Sequence, residues 1–264
     1  MTIKALPPRR PLVFGHRGAA GLAPENTIAS FALAHALGAD VFELDVHASS
    51  DGVVCVIHDP DLERTTNGEG PVREHTWAEL QNLDAGYHFT RDGRDFPYRG
   101  HGVRVPSLEE LLTRFPGMPY NMEIKQEDPP IVAEVLRVID RCGARKRFIL
   151  AAEHDSIMTE IRRQCGDIPT SFPTLEAMDF FGRVQSGDFD GYEPAGCALQ
   201  IPARFGDIEL ITPESMAAAR RFGLEVHVWT INQREEMEHL VSQGVDAIMS
   251  DLPGLARAVV DAAT

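Results

Sequence analysis

Short apolar runs of strand length alternate with stretches in which apolar residues recur at helical spacing, almost from end to end of the 264-residue chain. Leu12 to Phe14, Val41 to Val46, Tyr120 to Ile124 and Phe148 to Ala151 read as the first four strands. Thr170 to Phe172 is the weakest, crowded by Pro169 and Pro173. Ala198 to Ile201, Glu225 to Trp229 and Ala247 to Met249 bring the strands to eight. Val53 to Ile57 extends the second strand region after an Asp51-Gly52 turn. Between the strands, Ile28, Phe31, Ala32 and Ala36 lie on one helical face with Gly38 as a stop, and Ile131 to Ile139 and Ile157 to Ile161 repeat the pattern. Thr212-Pro213 supplies an N-cap and a first-turn proline, and Asp251 with Pro253 opens the last helix.

Eight βα units in one chain of this length predict an α/β fold, a TIM (β/α)8 barrel, because right-handed crossovers cover a closed parallel sheet with helices. A doubly wound open sheet is the alternative, and it is weakened by the absence of a G-x-G-x-x-G run after the first strand. The alternation breaks once. Residues from about 60 to 105 are rich in Gly, Asp, Arg and aromatics, including Trp77, Tyr87, Phe89, Phe96 and Tyr98. This is too long for a βα loop and too irregular for another unit, so it reads as a small subdomain inserted after strand 2 of a single 1–264 domain.

Composition adds limits. Hydrophobic residues make up 43% and charged residues 25%, ordinary globular values. The formal charge of −15 repels nucleic acid and anionic lipid, so neither is an expected partner, and an anionic substrate would need a metal or a few placed basic groups. Cys55, Cys142, Cys165 and Cys197 form no C-x-x-C pair and read as reduced thiols. Met1 to Pro11 is polar and proline-rich, without a signal-peptide core, and no apolar run is long enough to span a membrane. A cytoplasmic enzyme, monomeric or homodimeric, without stable membrane association is the expectation.

The chemistry gathers at strand ends. Glu43 and Asp45 alternate on one strand and so share a face, with backbones about 6.5 Å apart; Glu123 and Lys125 repeat the pattern two βα units into the barrel. Two carboxylates at that distance repel by about 2.5 kcal/mol at an effective dielectric near 20. Protonation, pairing with Lys or Arg, or a hard cation can relieve this, and three carboxylates without cysteine favour Mg2+ or Ca2+ over zinc. A single acidic pair is more readily a solvated or salt-bridged strand end, and two such pairs at barrel strand ends weaken that reading. His16 and Arg17 follow the first strand and His58 the second strand region, which places them on the C-terminal rim, where two imidazoles beside a carboxylate cluster suit acid/base work. Arg17 and Lys125 are fixed cations for phosphate oxygens; pairing of Arg17 with Glu25 or Asp45 is the plainer alternative. Glu25 and Asn26 read as capping and bracing the first helix, Asp251 as an N-cap, and Trp229 as packing residue or ligand contact with equal weight. Gln200 could face the pocket.

Several blocks in order carry a resemblance. His16-Arg17-Gly18 with Pro24-Glu25-Asn26-Thr27, Glu43-Leu44-Asp45, Asp51-Gly52 through His58-Asp59, Arg64 to Gly68, Asn121 to Lys125, His227 to Asn232, and Gly244-Val245-Asp246 to Asp251-Leu252-Pro253 resemble the glycerophosphodiester phosphodiesterase family in its bacterial cytoplasmic form. The resemblance implies a TIM barrel whose insertion covers the site. It also implies a divalent metal on Glu43, Asp45 and Glu123, His16 and His58 as general acid and base, Arg17 and Lys125 on phosphate, and Trp229 on the glycerol end. The implied reaction is metal-dependent hydrolysis of a small-molecule glycerophosphodiester to sn-glycerol 3-phosphate and an alcohol. Ala151-Ala152-Glu153 departs from the Ser-Phe that many members carry, which leaves pocket detail open. Two alternatives stand beside this: lysophospholipase D action on a lipid-tailed substrate, entered past the insertion aromatics, and a catalytically silent barrel used for binding.

Overall fold

The computed structural model describes residues 3–8 and 11–263. Met1, Thr2, Arg9 and Arg10, part of the N-terminal stretch read above, lie outside the described residues. Ten strands alternate with nine α-helices among the described residues. Strands β1 (Leu12–Gly15), β2 (Val41–Ala48), β4 (Tyr120–Ile124), β5 (Phe148–Ala151), β6 (Ala198–Pro202), β9 (Glu225–Trp229) and β10 (Ala247–Ser250) form one parallel sheet in the order β5-β4-β2-β1-β10-β9-β6. Parallel bridges Leu150↔Thr170 and Ser171↔Ala198 join its two ends and close the barrel. The fifth position is thus filled by isolated bridges rather than a regular strand. The flanking prolines, unable to donate to a ladder, account for this.

Helices α1 (Ile28–Ala36), α4 (Val132–Arg141), α5 (Asp155–Gln164), α6 (Thr174–Ser186), α7 (Pro213–Phe222), α8 (Arg234–Gln243) and α9 (Pro253–Ala263) follow barrel positions one to eight, with α3 (Leu108–Arg114) returning the chain to β4. Alternation decides where each strand residue points. Phe42, Leu44 and Val46 face outward into a cluster with α1, α3, α4 and α5, whereas Leu199, Val226, Val228 and Ile248 join a second outer cluster with α6 to α9. Leu12, Phe14, Val41, Ile149, Ala198, Ala247 and Met249 point inward, with Ile3 and Leu6 packed against them. Helix α7 starts where expected: the Thr212 side chain accepts from Ser215 N, with Pro213 in the first turn.

The run after Gly52 behaves differently from a simple extension. Strand β3 (Val54–Val56) doubles back antiparallel on β2, with Val46 opposite Val56 and Ala48 opposite Val54. The reversal returns His58 to the level of Asp45, whose carbonyl accepts from Ile57 N at 3.0 Å. Beyond it, residues 60–105 contain a 3-10 turn (Val72–Glu74) and α2 (Trp77–Leu80), and gather Leu62, Val72, Leu80, Ala85 and Val105 with Cys55 and Ile57 into a small cluster. Strands β7 (Arg204–Phe205) and β8 (Ile208–Glu209) form a hairpin immediately after β6. No helix among the described residues is long and apolar enough to cross a membrane, and all four cysteines are free.

Candidate active site

The site lies at the C-terminal rim, where the inward-facing residues become polar. Along β2 the inward series runs Val41, Glu43, Asp45, His47, and along β4 it runs Asn121, Glu123 and, just past the strand end, Lys125, with Asp45 and Glu123 register partners. Glu43, Asp45 and Glu123 each bring a carboxylate oxygen within 4.8 Å of the others. Burial, then the nearby Asp45 charge, pushes the Glu43 carboxyl up to about 7, and the same two causes raise Glu123. Three hard oxygen donors held this close together fit a hard divalent cation, which would relieve their repulsion. Only the class of ion follows from these donors.

Fixed cations border the triad. Lys125 Nζ lies 2.8 Å from Glu123 Oε1 and 3.7 Å from Asp45 Oδ1. Arg17 adopts φ 49, a left-handed conformation uncommon for a residue with a Cβ, and Gly18 follows at φ 87. At Gly18 a Cβ would fall 2.5 Å from Ser30 Oγ, so glycine is required on steric grounds as well. The turn lets the Arg17 N–H donate to Glu43 Oε2 at 2.8 Å. Its guanidinium meets both suggested partners, with Nη1 2.9 Å from Glu25 and Nε 3.4 Å from Asp45. Arg17 Nε is buried without a good hydrogen bond, a donor that an incoming oxyanion could take up.

Each histidine is held at Nδ1 by a carboxylate. His16 Nδ1 lies 2.7 Å from Asp251 Oδ1, and its Nε2 lies 4.0 Å from Glu43 Oε2. Burial lowers the His16 pKa, but the Asp251 hydrogen bond and the Glu43 charge outweigh it and the net shift is upward. Asn232 donates to the other Asp251 oxygen at 2.6 Å. His58 Nδ1 lies 2.6 Å from Asp59 Oδ1. Arg64, from the insertion, pairs with Asp59 and with Glu25, which in turn holds Arg17. That chain of ion pairs ties His58 to the triad side. Two arginines overcome burial and hold Glu25 down at about 2.

Of the residues expected from sequence, His16, Arg17, Glu43, Asp45, Glu123 and Lys125 meet directly through these contacts, and His58 joins them through Asp59, Arg64 and Glu25. Trp229 ends β9 on the rim and is 41% exposed, so it is not a core residue. Three expectations change. Asn26 does not brace the helix, which Thr27 caps; its amide donates to Asp45 Oδ2 at 3.0 Å. Glu25 serves Arg17 and Arg64. Asp251 does not cap α9, because both its oxygens are taken by His16 and Asn232. Asp59, Arg64 and Asn232 lie in the segments that carry the family resemblance, but local spacing does not show their contacts with His58, Glu25 and Asp251. Adjacency to His58 was the available signal for Asp59.

A parallel barrel with paired imidazoles, fixed cations and a carboxylate triad on its C-terminal rim is an enzyme of the TIM-barrel class. The sequence profile described as the glycerophosphoryl diester phosphodiesterase family matches residues 16–255, and the chain belongs to that family. A glycerophosphodiester phosphodiesterase of Caldanaerobacter subterraneus is 32% identical over 253 residues, covering 92% of this chain and 94% of its own. Among solved structures, the glycerophosphoryl diester phosphodiesterase domain of a Mycobacterium tuberculosis protein superposes with TM-score 0.85 at 25% identity, covering 96% of this chain and all of that one. A glycerophosphodiester phosphodiesterase from Agrobacterium tumefaciens gives TM-score 0.77 at 29% identity, covering 94% and 99%.

Proposed function

We propose that this protein hydrolyses glycerophosphodiesters to sn-glycerol 3-phosphate and an alcohol, with one divalent cation, Mg2+ or Ca2+, held by Glu43, Asp45 and Glu123. The observation that carries this reading is the three-carboxylate cluster, with oxygens within 4.8 Å, beside Arg17, Lys125 and His16 in a member of this family. When bound, the cation neutralises charge on the phosphate oxygens. Arg17 and Lys125 bind those oxygens and orient the phosphorus, and Trp229 packs on the glycerol. His16 and His58 are the acid/base pair. Because Asp251 and Asp59 occupy their Nδ1 atoms, both act through Nε2. One takes the proton from the attacking oxygen, either of water or of the neighbouring glycerol hydroxyl, and the other gives a proton to the departing alkoxide. The 60–105 segment is a small subdomain over this mouth, anchored by Arg64.

The lipid-tailed alternative gains little from the insertion aromatics, which pack on each other: Phe89 lies edge-on to Tyr98, and Arg99 stacks over Tyr87 and Phe96. The test is a panel of glycerophosphodiesters and a lysophospholipid, each assayed with Mg2+ and with Ca2+. Release of sn-glycerol 3-phosphate from the small diesters is expected. A folded, cation-loaded protein inert on every diester would leave the silent-barrel reading standing instead.

A further inference from the structure

Beneath the charged rim, a line of polar side chains crosses the barrel interior. Glu225 and His227 are inward-facing on β9, Gln200 on β6 and Asn121 on β4, and Gln200 and His227 are register partners. Glu225 Oε1 accepts from Ile3 N at 3.0 Å, and its Oε2 lies 3.2 Å from His227 Nε2. A carboxylate oxygen accepts, so His227 Nε2 carries the hydrogen, and in the neutral imidazole Nδ1 offers a lone pair. Gln200 Nε2 lies 3.3 Å from that Nδ1 and 2.6 Å from Asn121 Oδ1. With His227 neutral, both amide hydrogens of Gln200 meet acceptors, and flipping that amide alone would set its oxygen against two other acceptors.

The consequence concerns the atom left over. Gln200 Oε1 makes no hydrogen bond among the described residues. Asn121, His227 and Glu225 are buried, yet Gln200 is only half-buried. Below it the interior is filled by Phe14, Ile149 and Ala198, so solvent reaches Gln200 from the mouth. One inward position further along, the same strands carry Glu123 and Trp229. Gln200 thus forms the floor of the space whose rim is the carboxylate triad and Trp229.

We propose that Gln200 is a specificity-determining residue whose amide oxygen accepts a hydrogen bond from the terminal hydroxyl of the substrate's glycerol, with Asn121 and His227 as positioning residues. The proposal rests on the phosphodiesterase reading above. A phosphate held at the rim by Arg17 and Lys125 leaves the far end of the glycerol to reach one layer deeper, where a fixed acceptor meets a hydroxyl. An acceptor buried beneath a bound substrate and left unpaired discriminates against an analogue lacking the hydroxyl.

The experiment compares kcat/KM for glycerophosphocholine and for 2-hydroxypropyl phosphocholine, which lacks the terminal hydroxyl but keeps the one beside the phosphoester. The wild-type protein should prefer glycerophosphocholine by about tenfold or more. Gln200→Met should bring the ratio to within about twofold by slowing the glycerol substrate alone, and the rate on the analogue serves as the folding control. His227→Phe, which keeps a ring against Phe14, should narrow the ratio part of the way. An unchanged ratio in Gln200→Met, or equal slowing of both substrates, overturns the assignment while leaving the phosphodiesterase reading intact. Wild-type protein inactive on both substrates overturns that reading and this one with it.

Discussion

The two sides of the barrel mouth are built from different materials. The arc formed by β1, β2 and β4 carries His16, Arg17, Glu43, Asp45, Glu123 and Lys125, nearly all locked to one another by charge-assisted contacts. Above the Gln200 and His227 layer, the arc formed by residues 170–172, β6 and β9 carries Trp229 and the β7–β8 hairpin, on which the register partners Phe205 and Ile208 stand 72% and 63% exposed. A charged group near a phosphoryl centre must be fixed in advance, because its energetic worth depends on orientation already spent before substrate arrives. Apolar contact is non-directional, so a wall that only holds the organic part of a ligand tolerates looser construction. The charged arc should therefore control turnover and the apolar arc substrate affinity.

Removing the cation is the largest test of that division. Chelation should abolish turnover and added Mg2+ or Ca2+ should restore it, and Glu123→Gln should weaken the cation requirement's apparent affinity by more than about 100-fold, beyond what loss of an outer partner costs. Chelator-insensitive turnover would remove the cation from the charged arc's role. Next, His16→Ala and His58→Ala should each lower kcat by about 10²–10⁴ with unchanged melting behaviour; full activity in either breaks the acid/base pairing.

The ion pairs that brace this arc should also be visible in stability. Glu25, held at about 2 in the fold against an ordinary 4.5, stabilises the native state above its unfolded value, and that contribution is lost as pH falls from about 4.5 through 2. The shift corresponds to about 3 kcal/mol, so urea unfolding of Glu25→Gln should differ from wild type by that order at pH 7 and converge with it near pH 2. A pH-independent difference would mean that Glu25 acts through packing. The smallest effects belong to the apolar arc. Trp229→Ala should raise KM severalfold with kcat within about threefold, and Phe205→Ser with Ile208→Ser should leave stability within about 0.5 kcal/mol. A Trp229→Ala loss in kcat comparable to that of His16→Ala would erase the distinction between the two arcs.

Much of this was legible in the sequence, and the boundary of legibility has a physical cause. Strand periodicity alone puts Glu43 with Asp45, and Glu123 with Lys125, on one face of their strands, and seven of the eight barrel strands stand out as apolar runs. The fifth is cut to a few bridging residues between Pro169 and Pro173, which have no N–H to extend its ladder. The direction of Val54–Val56 depended on which way an Asp-Gly turn folds, which periodicity does not report. The partners of the histidines were hidden for another reason. Asp251 lies 235 residues from His16, and local spacing, which marks Asp251 as a plausible helix cap, says nothing of so distant a contact. Asn26 departs from its local signal for the same reason: Thr27, one residue on, does the capping, and the Asn26 amide donates to Asp45.

The weak closure at Thr170 and Ser171 bears on how the molecule comes apart. Two isolated bridges join the ends of the parallel sheet, and the two outer apolar clusters divide at the same place, one drawing on residues 19–168 and the other, apart from Val13, on residues 172–260. Sub-global opening is expected to begin at this seam, so the amide hydrogens of Ser171 and Phe172, although bonded to the Leu150 and Ala198 carbonyls, should exchange before those of β2 and β4.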